Sequence, residues 1–353
     1  MDTDSLASPR LYPLSFDASG GRVRLVTLDE AGYLAASFLD ERLLPTVGLG
    51  EWVALDELRR AMSFAESESD FIFHVGHVGS TLLSRLLGED EQVFAVREPA
   101  ILRTLAVTEL SSQDHAILHD HTHLFLKLWG RVFRPTQRTL LKATSFVSEM
   151  APLMMTLNPS ASAILMFDRP SIYLAAILAG EAARDELRIY APMRLARLHR
   201  RLGGQFWSSQ DLSEGELAAM GWTCEVLALA HLAEQFPERI LWLEFNHFLA
   251  HPEEVLSAVL LRLHGCVHRA GMEAILHSPH FRRYAKAPEH AFDGELRQKI
   301  LARAELDHGD EIRRGLAWLD AACINHPVVD AAVRRVTGAP GSGRLSSLAP
   351  QPQ

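Results

Sequence analysis

A short stretch, FIFHVGHVGSTLLSRLLGEDE (residues 71–91), places two glycines and two hydroxyls between a run of strand character and a Leu-rich helix. Backbone N–H groups at the start of a helix lack partners, and the positive end of the helix dipole points outward, so such a turn attracts anions. Gly76 and Gly79 let the backbone wrap closely, while Ser80 and Thr81 add hydroxyl donors. The stretch therefore predicts a phosphate-binding turn.

The turn carries no lysine. An ATP- or GTP-binding loop would read GxxxxGK[ST], with the lysine reaching the outer phosphates. Here Ser80 follows the second glycine, and His77 and Val78 complete the loop. Triphosphate hydrolysis thereby loses its main support. A tight strand-to-helix turn without any ligand is the alternative interpretation, because short motifs also occur by chance.

A carboxylate follows the next strand-like run. Glu98, in VREPAIL, is a candidate general base that would take a proton from an alcohol or phenol, and Arg97 or Arg103 would keep it ionised. The alternative is a helix N-terminal acid stabilised by the dipole, and Pro99 at the first helical position fits both interpretations.

Two cations end other strand-like runs. Arg169 would clamp a phosphate in the bidentate manner that a guanidinium favours, or pair instead with Asp168 or another acid. Lys142, in LLKAT, lies at the equivalent end of another run. Open α/β sheets place their ligands at this carboxyl edge.

Short apolar runs without alternation, separated by helical patterns, predict an α/β protein with a doubly wound parallel sheet. The predicted strands are Phe71–Val75, Val93–Val96, Thr139–Lys142, Ala163–Phe167 and Ile240–Phe245. The predicted helices lie near 81–88, 99–110, 114–133, 146–157, 171–183, 185–206, 214–236, 253–264, 293–320 and 326–336.

The first part of the chain differs from the rest. RVRLVTLD and GYLAASFLD alternate like strands and predict a hairpin or meander, and WVALDELRRAMSF reads as helical. We expect an accessory segment at residues 1–69, a main domain at 70–336 and a disordered, Gly-, Pro- and Ser-rich tail at 337–353.

Bulk properties exclude several classes. The chain of 353 residues has a formal charge of −9, which argues against a nucleic-acid partner. Its three cysteines are far apart, so neither a disulfide framework nor a zinc knuckle is indicated, and a reducing cytoplasm is the expected setting. No run approaches the roughly 18 apolar residues of a membrane span. No pattern indicates an oligomeric state.

Several segments together resemble the sulfotransferase family, in its bacterial and tyrosylprotein-type forms. GHVGSTLLSRLL resembles the family's 5′-phosphosulfate loop, and ASAILMFDRPSIYLAAIL is similar to its 3′-phosphate motif. WLEFNHFLAHPEEVLSAVLLRLHG is similar to the YEDL segment, with Phe245 in place of the tyrosine, and FRRYAKAPEHAFDGELRQKIL to the C-terminal region that closes over the donor. The segments cover roughly residues 70–310 in the family's order.

The resemblance implies a P-loop enzyme that transfers a sulfuryl group from 3′-phosphoadenosine 5′-phosphosulfate to a hydroxyl or amine acceptor, without a metal. The donor would be held by Gly76, His77, Val78, Gly79, Ser80, Thr81, Arg169, Ser171, Arg283, Tyr284 and Lys286. Here His77 replaces the family's loop cation and Ile177 its usual serine, for which Ser171 would substitute. His77, Glu98 and Lys142 would be catalytic.

Two other functions remain open. A non-catalytic nucleotide-binding or regulatory module would keep the loop without the cation, and a small-molecule kinase is disfavoured by the missing lysine. The stretch 188–202, RIYAPMRLARLHRRL, predicts a basic amphipathic helix that faces water or an acceptor site. His119, His121 and His123 do not indicate a metal site, because only two of them share a helix face.

Overall fold

A computed structural model describes residues 3–66, 68–111, 115–285, 291 and 293–338. The strands are β1 (Leu11–Asp17), β2 (Arg22–Thr27), β3 (Glu51–Ala54), β4 (Ser69–His74), β5 (Val93–Arg97), β6 (Arg138–Lys142), β7 (Ala163–Phe167) and β8 (Ile240–Glu244). The α-helices are α1 (Thr3–Ala7), α2 (Glu30–Ala35), α3 (Leu44–Val47), α4 (Leu55–Ala61), α5 (Ser80–Leu87), α6 (Ile101–Ser111), α7 (His115–Trp129), α8 (Ala151–Thr156), α9 (Pro170–Leu178), α10 (Glu181–Leu202), α11 (Glu214–Gln235), α12 (Phe245–Ala250), α13 (Pro252–His264), α14 (Arg269–Leu276), α15 (Gly294–Asn325) and α16 (Pro327–Thr337). The predicted tail lies outside the described residues beyond 338.

The central sheet is parallel and has the strand order β5-β6-β4-β7-β8. Every residue of β4, β5 and β7 is buried, as expected for short apolar strands covered on both faces. The predicted doubly wound α/β class is confirmed, and all five strands were located to within about two residues at each end.

The strand order places the phosphate turn at a switch point. The strand β4 comes first along the chain but lies between β6 and β7, so the connections leave it in opposite directions. Right-handed crossovers then put α5 on one face of the sheet and the helices between β5 and β8 on the other. Ligands of open α/β sheets bind outside the carboxyl edge at such a point.

The N-terminal segment forms a separate antiparallel sheet in the order β1-β2-β3. The prediction that GYLAASFLD is a strand is wrong, because the Asp29 side chain accepts a hydrogen bond from the Gly32 amide at 2.8 Å and starts α2. Strand β2 pairs with β1 on one side, and a turn at Gly20 and Gly21 joins these two strands. The stretch predicted as helical begins with β3 before α4 starts at Leu55.

Two buried arginines attach this N-terminal layer to the parallel sheet. Arg97, at the end of β5, is 1% exposed and donates at 2.8 Å to the carbonyls of Leu34 and Ala36. Arg85 of α5 donates to the Ala35 carbonyl at 3.2 Å. The last turn of a helix leaves C=O groups without intrahelical partners, and a cation there is favoured by the dipole. The end of α2 is therefore satisfied by the main domain.

Main-chain hydrogen bonds of Leu39, called the Leu39 bridge below, also attach the N-terminal layer to the parallel sheet. The Leu39 amide donates to the Arg97 carbonyl at 2.9 Å, and the Leu39 carbonyl accepts from the Ala100 amide at 3.2 Å and from the Tyr12 hydroxyl at 2.7 Å. Since β5 is an edge strand, this bridge covers exposed backbone at its end. It also fixes both sides of the turn that carries Glu98.

Replacement of Arg97 tests its role in attaching the N-terminal layer to the parallel sheet. We expect Arg97→Met to lower the free energy of unfolding by about 2 kcal/mol, because it leaves buried carbonyls without donors. Urea unfolding followed by circular dichroism measures this change. Arg22→Met is the control, since Arg22 is 54% exposed in a surface ion pair and its loss should cost under about 1 kcal/mol. Equal losses for the two variants would contradict the role given to Arg97.

Candidate active site

The carboxyl ends of the parallel strands bring most of the predicted residues to one edge. The turn 75–79 follows β4, Glu98 follows β5, Lys142 ends β6 and Arg169 follows β7. Neighbouring strands lie about 4.8 Å apart, so the ends of β4 and β5, with β6 between them, are separated by about 10 Å. The edge is therefore compact enough for one ligand to span several strand ends.

The turn after β4 holds its backbone in the left-handed region. Gly76, His77 and Gly79 have φ of 93°, 54° and 68°. The Gly76 amide donates to Nδ1 of His74 at 3.0 Å, which stabilises the first of these positions. Within the described part of the chain, the Val78 and Gly79 amides donate to no protein acceptor. These N–H groups, with those of the first turn of α5, form the kind of concave donor set that binds anions.

Two hydroxyls near the start of α5 are buried without partners. Thr81 is 2% exposed and Ser84 is 0% exposed, and neither Oγ atom forms a hydrogen bond to the residues described. Buried polar atoms are nearly always paired. Thr81 belongs to the first helical turn, so a phosphate or sulfate oxygen at the loop would supply its missing acceptor. Ser80 is also buried there, at 5% exposure.

An aromatic ring packs on the second glycine of the turn. A Cβ built on Gly79 would lie 2.0 Å from Cε2 of Phe245, at the start of α12. The guanidinium of Arg297 lies 4.8 Å from the centre of that ring and donates to Asp168 at 2.7 Å and to Asn246. Arg297 comes from α15, far away in sequence, and no local pattern predicted it. Burial raises the pKa of Asp168 to about 7 despite this ion pair.

His77 points toward an acid. Its Nε2 lies 3.8 Å from Oε2 of Glu186 on α10, and its side chain is 28% exposed. An imidazole titrates between about pH 5 and 8, so this contact becomes an ion pair only when the ring is protonated. The prediction that His77 acts as the loop cation stays a prediction.

Glu98 and Lys142 form a buried ion pair. Lys142 is 0% exposed and its Nζ contacts Oε1 of Glu98, whose other oxygen lies 3.8 Å from Nη2 of Arg103. The Glu98 amide donates to the Lys142 carbonyl at 2.8 Å. Arg97 does not support Glu98 as expected, because its guanidinium donates to the carbonyls at the end of α2. The charged partners of Glu98 are Lys142 and Arg103.

Arg169 is accessible but paired. Its side chain is 50% exposed, and its Nε donates to Oε1 of Glu244 at 3.1 Å. The acid paired with Arg169 is thus Glu244, Asp168 pairs with Arg297, and phosphate binding by Arg169 stays a prediction. Ser171 lies exposed in the first turn of α9, two residues after Arg169. A phosphate at Arg169 would lie beside the Glu244 carboxylate.

The predicted C-terminal contacts lie along α5. Arg283 and Tyr284 are exposed, and the Ala285 carbonyl accepts a hydrogen bond from Nε of Arg85 at 2.8 Å. This contact holds the segment against the helix that starts at the phosphate turn. Lys286 lies outside the described residues.

The basic stretch of α10 faces water only in part, through Arg188 and Arg200, whose side chains are each 50% exposed. Arg194 and Arg197 are buried, and both donate to Glu225 of α11, at 3.2 Å from Arg194 and at 2.9 and 3.1 Å from Arg197. The predicted helix is confirmed, and two of its arginines contact α11 rather than water. Glu225 is itself fully buried, so its charge requires these partners.

The described residues show neither a metal cluster nor a membrane-spanning helix. They hold no group of three or more side chains suited to a metal ion, and His119 and His123 are two rings 6.4 Å apart on α7. No described helix is both long and apolar enough to cross a membrane.

No protein-family profile and no curated protein matches the chain. Solved structures align with it at low identity. The sulfotransferase domain from the curacin biosynthetic pathway is 13% identical over 69% of this chain and 97% of that one, with a TM-score of 0.43. Sulfotransferase STF9 from Mycobacterium avium is 12% identical over 71% and 79%, with a TM-score of 0.38. The sulfotransferase domain of the Synechococcus PCC 7002 olefin synthase is 13% identical over 68% and 87%, with a TM-score of 0.40. Values this low say nothing about activity.

The packing of Phe245 on the turn gives a direct test. Gly79→Ala should lower the free energy of unfolding by about 1 kcal/mol through left-handed strain and by about 1–3 kcal/mol more through overlap with the ring. Gly203→Ala is the matched control, because Gly203 has φ of +74° and open space around it. Urea unfolding compares the two. Equal costs would show that the ring moves away freely.

Proposed function

We propose that the chain is a sulfotransferase that uses 3′-phosphoadenosine 5′-phosphosulfate and sulfates a hydroxyl or amine acceptor. The observation that supports the proposal is one edge of the sheet, where a turn with amides unpaired among the described residues follows β4 and a Glu98–Lys142 ion pair joins the ends of β5 and β6. Residues 70–336 would be the catalytic domain and residues 1–69 an accessory layer. Cys224, Cys266 and Cys323 are free thiols, which fits the reducing cytoplasm expected from the sequence.

The turn has the groups that the donor's 5′ side requires. The amides of Val78 and Gly79 and the hydroxyl of Thr81 have no acceptor among the described residues, and each would donate to a phosphate or sulfate oxygen. Arg169, exposed beyond the end of β7, would hold the 3′-phosphate. The residues present therefore fit a nucleotide with anionic groups at both ends.

The bound donor would supply the sulfuryl group: its S–O bond to the 5′-phosphate breaks as the acceptor oxygen or nitrogen forms the new bond to sulfur. Glu98 would take the proton that the acceptor loses. Lys142 and protonated His77 would offset the negative charge that develops on the leaving phosphate and the migrating group. In-line transfer needs alignment above all, and the fixed turns at Glu98 and His77 provide it.

A non-catalytic nucleotide-binding module is the second candidate. It is favoured by one observation, namely that Lys142 is fully buried and already engaged with Glu98. A protein that only binds the nucleotide would use the turn and Arg169 and would have no need of a base. Transfer assays separate the two candidates.

The loop histidine is the first point to test. His77→Ala should reduce sulfate transfer about 100-fold, the usual effect of losing one donor to developing charge. Wild-type transfer should decline as pH rises through the imidazole range, whereas His77→Lys should stay active and flatten that decline, because its charge persists. Release of adenosine 3′,5′-bisphosphate with a panel of alcohols, phenols and amines measures this.

His231→Ala is the control for the histidine series, since His231 is exposed on α11 and should leave transfer unchanged. Absence of transfer by both the wild type and His77→Lys, across the whole panel, would favour the non-catalytic candidate.

Binding measurements test the contact proposed between Arg169 and the 3′-phosphate of the nucleotide. Adenosine 3′,5′-bisphosphate should bind at least tenfold tighter than ATP with Mg²⁺, and Arg169→Ala should remove about tenfold from the bisphosphate without changing the affinity for adenosine 5′-monophosphate. Glu244→Gln should tighten bisphosphate binding, because it removes a negative charge beside the 3′-phosphate. Isothermal titration calorimetry gives all of these values.

Asp330→Asn, in the surface pair with Arg334 on α16, controls for net charge. Stronger binding of ATP with Mg²⁺ than of the bisphosphate would point to a kinase instead.

A further inference from the structure

A cavity of about 470 Å³ lies next to the proposed base. Its walls come from β1, from the turn at 40–42 and from residues 98–104 at the end of β5 and the start of α6. Small-molecule sites have volumes of about 300–1,000 Å³. The N-terminal layer and the main domain therefore enclose between them a space suited to a small organic molecule.

We propose that this cavity binds the acceptor and that the acceptor is a small organic anion, an alcohol or phenol that also carries a carboxylate. The term acceptor rests on the proposed sulfuryl transfer, whereas binding of such an anion does not. Arg103 would hold the carboxylate, Glu98 would meet the hydroxyl, and the carbon skeleton would lie against Phe16.

Most charges around the cavity are already paired. Asp40 accepts hydrogen bonds from the Arg42 amide and guanidinium, which lower the pKa of Asp40 against the opposing effect of burial. Glu98 contacts the buried Lys142. Both carboxylates are thus offset by a cation, and the third one, Glu41, lies exposed to water at the rim.

Arg103 differs from these groups. Its side chain is 47% exposed, its distance of 3.8 Å to Glu98 exceeds a hydrogen bond, and its guanidinium donates to no other residue that the structure describes. A guanidinium fork matches a carboxylate in a bidentate way. Arg103, half exposed and 3.8 Å from Glu98, is thus the donor that a bound carboxylate would engage.

The apolar part of the lining sets the shape of the ligand. Leu14 and Ile101 are fully buried behind the lining, and Phe16, at 9% exposure, supplies the apolar surface that a ligand can contact. A ligand with a carboxylate at Arg103 and a hydroxyl at Glu98 would have its carbon skeleton beside Phe16. Aromatic or branched hydroxy acids satisfy that requirement better than highly polar acceptors such as sugars.

Three phenols of similar size test the charge preference without the donor. They are 4-hydroxyphenylacetate, 4-ethylphenol and tyramine, whose second groups are anionic, neutral and cationic. Saturation-transfer NMR and calorimetry on the full-length protein should show the anion binding at least fivefold more tightly than either of the others. Tighter binding of tyramine, or no binding by any of the three, would overturn the proposal.

Variants locate the site. Arg103→Ala should weaken 4-hydroxyphenylacetate about tenfold and leave 4-ethylphenol unchanged, with Arg103→Lys in between. Thr104→Trp should fill the cavity and remove binding of both, with the thermal midpoint showing that the fold is kept. Arg200→Ala is the control, because Arg200 is similarly exposed and lies on α10.

The direction in which Glu41→Gln changes the affinity distinguishes an anion site from a cation site. Glu41 lies exposed at the rim, so Glu41→Gln should tighten the anion about twofold by removing a like charge. Weaker binding in this variant, or binding that survives Thr104→Trp, would overturn the proposal. Binding as expected but without sulfate transfer when the donor is added would support the cavity and count against the proposed function alone.

Discussion

Two buried guanidiniums donate hydrogen bonds to the end of α2. The arrangement of residues at the carboxyl edge of the parallel sheet depends on this contact. Arg97 and Arg85 reach the last carbonyls of α2 with no carboxylate among their described partners, and burial, with some help from Arg85, lowers the pKa of Arg97 to about 9. The cost of burying these charges is offset by carbonyl groups that a helix end leaves without partners. The contact brings residues 36–42 to the end of β5, and with them one wall of the cavity.

Most of the charged side chains named at the carboxyl edge of the parallel sheet form ion pairs with one another. Glu98 contacts Lys142, Arg169 contacts Glu244 and Asp168 contacts Arg297. A nucleotide with several negative charges therefore finds little uncompensated side-chain charge there. In the proposed complex the main attraction would come from backbone amides at the start of α5, whose dipoles are fixed by the fold and need no counterion. This explains how the turn can tolerate the absence of lysine.

The sequence predicted what local patterns determine. Short apolar runs predicted the five strands and their parallel arrangement, and two glycines predicted the position of the turn. The pairing of β1 with β2 was missed, because Pro13 interrupts the first run and the Asp29 cap converts the next one to helix. Arg297 and Glu225 could not be predicted at all. Each lies buried on a long helix, and only tertiary packing brings it to its partners.

Backbone strain joins the two halves of the proposed site. Among the residues described, His77 and Glu98 are the non-glycine positions with left-handed φ, at 54° and 48°. Such a conformation costs about 1 kcal/mol or more and persists only where the surroundings impose it. The Leu39 bridge and the Lys142 carbonyl impose it at Glu98, and the bond from Gly76 to His74 does so beside His77. The N-terminal layer thus holds Glu98 in place while it closes the cavity, so that the orientation of the base and the shape of the space in front of it have the same physical cause.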